Sequence, residues 1–169
     1  MSDRSKKIFV ILSVAVPFLL YSAYYYGMMI KNAPYKFSEF DSVVFEYGKG
    51  DSLVNKYNSK TGEYQYIDRA NKLVKTHLKL SQDQLRYLHH KAADLGFWNF
   101  PSREVNDSLK NAPVKPPRYL MQFNYKRKSK TVLFDEAFDG DPKLKDANER
   151  MIKEIEKVID EADMQQNSN

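Results

Sequence analysis

Residues 8–30, IFVILSVAVPFLLYSAYYYGMMI, contain no charged side chain, and this stretch divides the chain into an apolar segment and everything that follows it. At about 1.5 Å per residue, a helix of that length is roughly 35 Å long, enough to cross a hydrocarbon core of about 30 Å with some tilt. The sequence therefore predicts a transmembrane helix over 8–30. Pro17 does not argue against it, because membrane helices tolerate proline where polar neighbours satisfy the freed carbonyl.

The flanks set the expected orientation. Arg4, Lys6 and Lys7 precede the run, with Asp3 the acid among them, whereas Lys31 and Lys36 follow it with Glu39 and Asp41 close behind. Basic flanks stay in the cytoplasm, so residues 1–7 read as a short cytoplasmic N-terminus and the chain from about Lys31 onward as exported. Tyr21, Tyr24, Tyr25 and Tyr26 gather in the second half of the run. Their rings favour the membrane–water interface at the outer end. The competing expectation is a signal peptide cleaved after Ala23, but Tyr21 stands where cleavage wants a small residue and the apolar run continues beyond it. A retained signal anchor is the reading adopted. The chain has no cysteine, which excludes disulfides, thiolate metal sites, cysteine nucleophiles and lipid attachment through an N-terminal cysteine.

Of the net charge of +5, the first 31 residues supply +3, leaving +2 for the remainder. The basic balance thus belongs to the membrane flanks and does not indicate a nucleic-acid partner. Residues 31–40 read as a juxtamembrane tether, extended around Pro34. Residues 41–162 are long enough for one domain with a real core, and 163–169 form a polar tail.

Within 41–162 the periodicities are legible. Val43, Phe45 and Tyr47 alternate in a strand over 42–47, and strands over 53–58 and 63–68 flank a turn at Ser59-Lys60-Thr61-Gly62. A fourth strand over 73–80 points Val74, Thr76, Leu78 and Leu80 inward. Ser81-Gln82-Asp83-Gln84 is a capping box that opens a helix with Leu85, Leu88, Ala92 and Leu95 on one face, and Gly96 ends it. Residues 102–118, closing on Pro113-Val114-Lys115-Pro116-Pro117, read as an exposed connector. A second hairpin spans 119–125 and 130–135. Asp141 and Pro142 open a final helix over 142–162, with Glu149–Lys153 and Arg150–Glu154 expected as i,i+4 pairs. The fold class expected is α+β: an antiparallel sheet of five or six strands with two helices packed on it, preceded by one transmembrane helix.

The sequence nominates no catalytic residue, cofactor or metal ligand. His89 and His90 are neighbours on a helix and diverge by about 100°, too far to share one ion. The acidic run 135–141 lacks calcium-loop spacing. No nucleophile elbow, zinc-protease helix, phosphate loop or dinucleotide fingerprint occurs. The one patch with a chemical direction is Lys126, Arg127, Lys128 and Lys130 on the second hairpin, which would face an anionic surface or a partner protein.

Thr61-Gly62-Glu63-Tyr64, Ser81, Gly96-Phe97-Trp98 and the closing apolar stripe over 144–162 resemble, in that order, small exported bacterial domains of unknown function. The resemblance implies a bacterial envelope setting and brings no catalytic residues with it; the lipid-attachment cysteine of many such proteins is missing here. The expectation is an inner-membrane, single-pass protein with a periplasmic domain that binds another envelope protein or an anionic envelope component. Two alternatives are an envelope hydrolase with a shallow site near His89 and Trp98, and an accessory factor of a larger membrane complex contacted through 8–30.

Overall fold

A computed structural model describes residues 3–31, 35–109 and 112–167, in two separate compact units, residues 1–34 and 35–169. The first unit is one helix, α1 (Asp3–Lys31), with Pro17 inside it. From Arg4 to Tyr26 it is long and apolar enough to cross a membrane. Its large side chains, among them Phe9, Ile11, Phe18 and Leu20, are exposed. Pro34 and its two predecessors lie outside the described residues.

The second unit is α+β. Its strands are β1 (Phe40–Lys49), β2 (Ser52–Asn58), β3 (Glu63–Ile67), β4 (Leu73–His77), β5 (Arg103–Glu104), β6 (Pro117–Tyr125) and β7 (Ser129–Asp135). They form one sheet in the order β4-β3-β2-β1-β6-β7-β5. Every neighbouring pair is antiparallel except β5 and β7, which run parallel. The expected antiparallel sheet of five or six strands is thus corrected to a mixed sheet of seven. The extra strand is two residues long, too short to carry an alternation, and it lies in the stretch expected to be a connector.

Period-two alternation decides which side chains meet the helices. Val43 and Phe45 of β1, Tyr57 of β2, Met121, Phe123 and Tyr125 of β6, and Val132 and Phe134 of β7 are buried in one core with the stripes of α2 (Gln82–Asp94) and α3 (Pro142–Asn167). Residues of opposite parity, such as Val44, Glu46, Leu120 and Gln122, are half-exposed on the other face. The sheet is therefore covered on one side.

The capping box forms as the sequence predicts: Gln84 N–H donates to Ser81 Oγ at 3.2 Å, and Ser81 N–H to Gln84 Oε1 at 2.8 Å. Gly96 follows the helix at φ 71°, the left-handed conformation in which a side chain would be strained. Gly48 has a different reason. It sits at the irregularity between β1 and β2, where a Cβ would come within 1.9 Å of the Ser52 carbonyl oxygen.

Four details differ from the sequence reading. Tyr35, Phe37 and Phe40, assigned to a tether, pack against the core, because three aromatic rings in six residues supply more burial than an extended linker could leave in water. In the fourth strand, Thr76 is exposed and only Leu78 and Leu80, beyond the strand's end, are buried; β4 is the sheet edge and is poorly covered. Helix α3 continues to Asn167 through most of the expected tail, where Gln166 Oε1 accepts the Lys79 N–H at 3.0 Å. Finally, Glu154 turns to α2, accepting the Tyr87 hydroxyl at 2.7 Å and lying 3.6 Å from Lys91, so it does not serve Arg150, which lies 3.8 Å from Asp146.

Candidate functional site

The basic turn between β6 and β7 is built by its neighbours. The strands are in register to Asn124 opposite Ser129, and the Tyr125 N–H donates to the Lys128 carbonyl at 2.9 Å, leaving Lys126, Arg127 and Lys128 as the tip. A one-turn 3₁₀ helix, Phe37–Glu39, braces it from the side. The Lys126 N–H donates to the Glu39 carbonyl at 2.8 Å. The Arg127 guanidinium binds the Glu39 carboxylate through two nitrogens, Nε at 3.3 Å and Nη2 closer. The Lys128 ammonium lies 3.9 Å from the centre of the Tyr35 ring, within the range of a cation–π contact. The hydrogen bond from Arg127 holds the Glu39 carboxyl below its ordinary range against some burial, with the charges of Arg127, Lys36 and Lys126 adding to it. The charges of Lys36, Lys126 and Arg127 therefore all act on Glu39, and Lys128 stands beside them on Tyr35.

Lys130 does not belong to this group. It shares the parity of Val132 and Phe134, so it enters the core face, half-buried, and its ammonium donates to the Phe100 carbonyl. Burial lowers its pKa, opposed by the charge of Glu104. The alternation already carried this signal: a strand that buries 132 and 134 turns 130 the same way.

Behind the tip stands an aromatic cluster. Trp98 stacks on Tyr35 with ring centres 4.3 Å apart and meets Phe123 and Tyr125 edge-on at 5.5 and 5.7 Å. His89 is buried among Phe37, Phe40, Trp98 and Tyr125, and its Nδ1 is 2.8 Å from the Tyr125 hydroxyl. Burial, and then the charge of His90, lower the His89 pKa, so the ring is neutral near pH 7. Burial raises that of Tyr125, which keeps its proton and can donate it to the imidazole. A hydrolytic histidine needs an orienting acceptor and a substrate-sized space beside it. Here the group bonded to His89 Nδ1 is a phenol, and aromatic rings pack around the imidazole. This arrangement gives the hydrolase alternative no support.

No family model, curated protein or solved structure matches this chain.

The remaining polar clusters have structural explanations. Asp135, at the head of the acidic run, is buried and receives a fork from Arg118, with Nε at 2.5 Å and Nη2 at 3.0 Å; Arg118 Nη1 also reaches Asp51. Asp141 caps α3, its Oδ1 accepting the Lys143 N–H at 2.9 Å. Among the described residues, no group of three His, Cys, Asp or Glu side chains could hold a metal ion.

Sequence reasoning missed one buried polar pair. Glu104 of β5 and Asn148 of α3 are both fully buried, with Asn148 Nδ2 donating to Glu104 Oε2 at 2.7 Å. Burial pushes the Glu104 carboxyl up to about 7, although the Asn148 hydrogen bond and Lys130 pull it down. The other oxygen of each group, Glu104 Oε1 and Asn148 Oδ1, has no hydrogen-bond partner as an acceptor. Two buried acceptors thus stand without a donor beside one Nδ2–H···Oε2 bond, a setting in which the neutral form of the acid is favoured over the carboxylate. Nothing in 102–118 announces this, because one glutamate in a connector looks like any solvated acid.

Proposed function

We propose that this chain is a single-pass, membrane-anchored binding module whose domain stands outside the cytoplasm, in a bacterial envelope, and engages an envelope protein or an anionic envelope component. The observation that carries the proposal is that one chain holds an apolar helix and, as a separate compact unit, a domain with its own closed core. The helix exposes apolar side chains from Ile8 to Tyr26, and the domain that begins at Tyr35 closes its core with its own aromatics. A cationic tip is then the part of the domain with the clearest preference for a partner. Arg4, Lys6 and Lys7 support the cytoplasmic N-terminus, and the resemblance to small exported domains supports the envelope setting.

The test is protease treatment of spheroplasts carrying a C-terminal tag. A full-length protein whose tag disappears on treatment agrees with the proposal. A protected tag would mean a cytoplasmic domain and overturn the orientation. A chain already beginning after Ala23 would overturn the anchor.

A further inference from the structure

We propose that the groove between α3 and the tyrosine-rich end of the sheet binds a primary ammonium group, the side chain of a lysine on an envelope partner protein. The inference rests on the reading of the domain as a binding module, and it adds a contact opposite in charge to the basic turn.

The groove follows from how much of the sheet the helices cover. Tyr47 of β1, Tyr64 of β3 and Tyr119 of β6 lie on the same face as the core residues Phe45, Tyr57 and Met121, yet each remains half-buried. Tyr47 and Tyr119 are opposite one another on β1 and β6 and stack, with ring centres 6.0 Å apart. Tyr64 is opposite Tyr57 and meets it edge-on, also at 6.0 Å. Helix α3 brings Glu156 and Asp160, which are one turn apart, to these rings. With Phe45, Tyr47, Tyr57 and Tyr64, the two carboxylates line a cavity of about 170 Å³. A second cavity, of about 210 Å³, shares Glu156 and runs along Tyr119 and Phe134. Both are smaller than the roughly 300–1,000 Å³ of a site for a drug-sized ligand, so each suits a head group or a single side chain.

The groove is rich in acceptors and short of donors. Among the described residues, no hydrogen bond reaches the Glu156 carboxylate or the hydroxyl oxygens of Tyr47, Tyr64 and Tyr119. Burial, and then the charges of Glu156 and Asp160, raise the Tyr47 pKa; burial, and then Glu156, raise that of Tyr119. The field of the same carboxylate thus reaches both phenols. Lys56, the cation at the first cavity, lies 3.6 Å from Glu46.

These features select a primary ammonium. Its three N–H groups can serve a carboxylate and phenolic oxygens together, and its charge offsets Glu156 and Asp160. Its alkyl stem packs along the tyrosine rings, which also attract the cation. A quaternary ammonium would gain the rings but leave the oxygens without a donor, and an anion would be repelled. A lysine supplies the ammonium on a four-carbon stem, and a protein is the partner already proposed for the domain.

The full-length chain in neutral detergent micelles, with its twelve tyrosines ¹³C-labelled on the ring, provides the test by NMR. The probe is the peptide acetyl-Gly-Lys-Gly-amide. The signals of Tyr47, Tyr64 and Tyr119, assigned through their Tyr→Phe variants, should move together and saturate with a Kd on the order of 1 mM, since one side chain makes the contact. Glu156→Gln should weaken binding at least about fivefold, the loss of a charge-assisted hydrogen bond. Asp139→Asn, which removes an exposed carboxylate elsewhere, should leave it unchanged. Trp98 emission reports whether the Glu156 variant keeps its fold; if it shifts, Asp160→Asn at the exposed rim must still weaken binding. No movement of the three signals, or equal binding by Glu156→Gln, would overturn the inference. So would equal binding of a norleucine peptide or of tetramethylammonium, which lack the donors. Binding of butylammonium without binding of the peptide would overturn the protein source of the ammonium. Each failure would leave the anchored module standing, since the spheroplast experiment decides that separately.

Discussion

Glu104→Gln should abolish a pH dependence of folding that the wild-type chain carries. In the folded domain the Glu104 carboxyl is pushed up to about 7 from 4.5. The native state therefore holds a proton between those values that the unfolded chain has released. Its contribution to stability is fully present below about pH 4.5, falls by about 1.4 kcal/mol per pH unit, and is lost once the pH passes about 7. The whole loss is about 3 kcal/mol, a large share of a typical domain's stability. Glutamine has the same shape and stays neutral. Its Oε1 can accept from Asn148 Nδ2 as Glu104 Oε2 does, which keeps that hydrogen bond without a titration. At pH 8 the variant should be more stable than wild type by up to about 3 kcal/mol, and near pH 4.5 the two should converge. Buried neutral His89, with its lowered pKa, works in the opposite direction: its term weakens stability as pH falls below its unfolded value, so the raw curve of either protein mixes the two. The difference between variant and wild type isolates Glu104. Guanidinium unfolding of the full chain in detergent micelles, followed through Trp98, the single tryptophan, measures it at a series of pH values. A difference that does not change between pH 4.5 and 8, or a variant less stable than wild type at pH 8, would refute the protonated buried acid.

Two further substitutions test the scaffold. Asp135→Asn removes the acceptor of the Arg118 fork and leaves a largely buried guanidinium without its main counter-charge; unfolding stability should fall by about 3 kcal/mol, and a change under about 1 kcal/mol would show that Asp51 alone suffices to hold Arg118. Ser81→Ala removes the hydroxyl half of the α2 capping box, with an expected loss of about 1 kcal/mol in the same assay.

The elements that could be read from sequence were those with a long repeat. Eight apolar positions at 3.6 spacing in α3, the Ser81–Gln84 box with Gly96, and the alternation of 119–125 each involve several residues obeying one local rule, and each appears at its expected place. The basic turn was visible for the same local reason, as a run of cations between two alternating strands. Lys130 shares the composition of that run but has the parity of Val132 and Phe134, which turns it to the core face.

The apolar segment, the α+β class and the absence of cysteine chemistry were properties of the sequence by itself, since each depends on near neighbours or on residue type. Tertiary structure decided the rest. It brought Glu39 to Arg127 and Tyr35 to Lys128, Glu104 to Asn148, and Arg118 to both Asp51 and Asp135. Apart from Arg118 and Asp135, which face each other across the β6–β7 hairpin, each of these joins segments that lie far apart in the chain and meet only when β6 settles beside β1 or β5 beside β7. Local periodicity decides which face of a strand is buried, but not which other strand will lie next to it. A polar side chain in this protein therefore acquires its role from the pairing of the sheet, which is why the bracing of its basic turn and its buried acid came into view only with the fold.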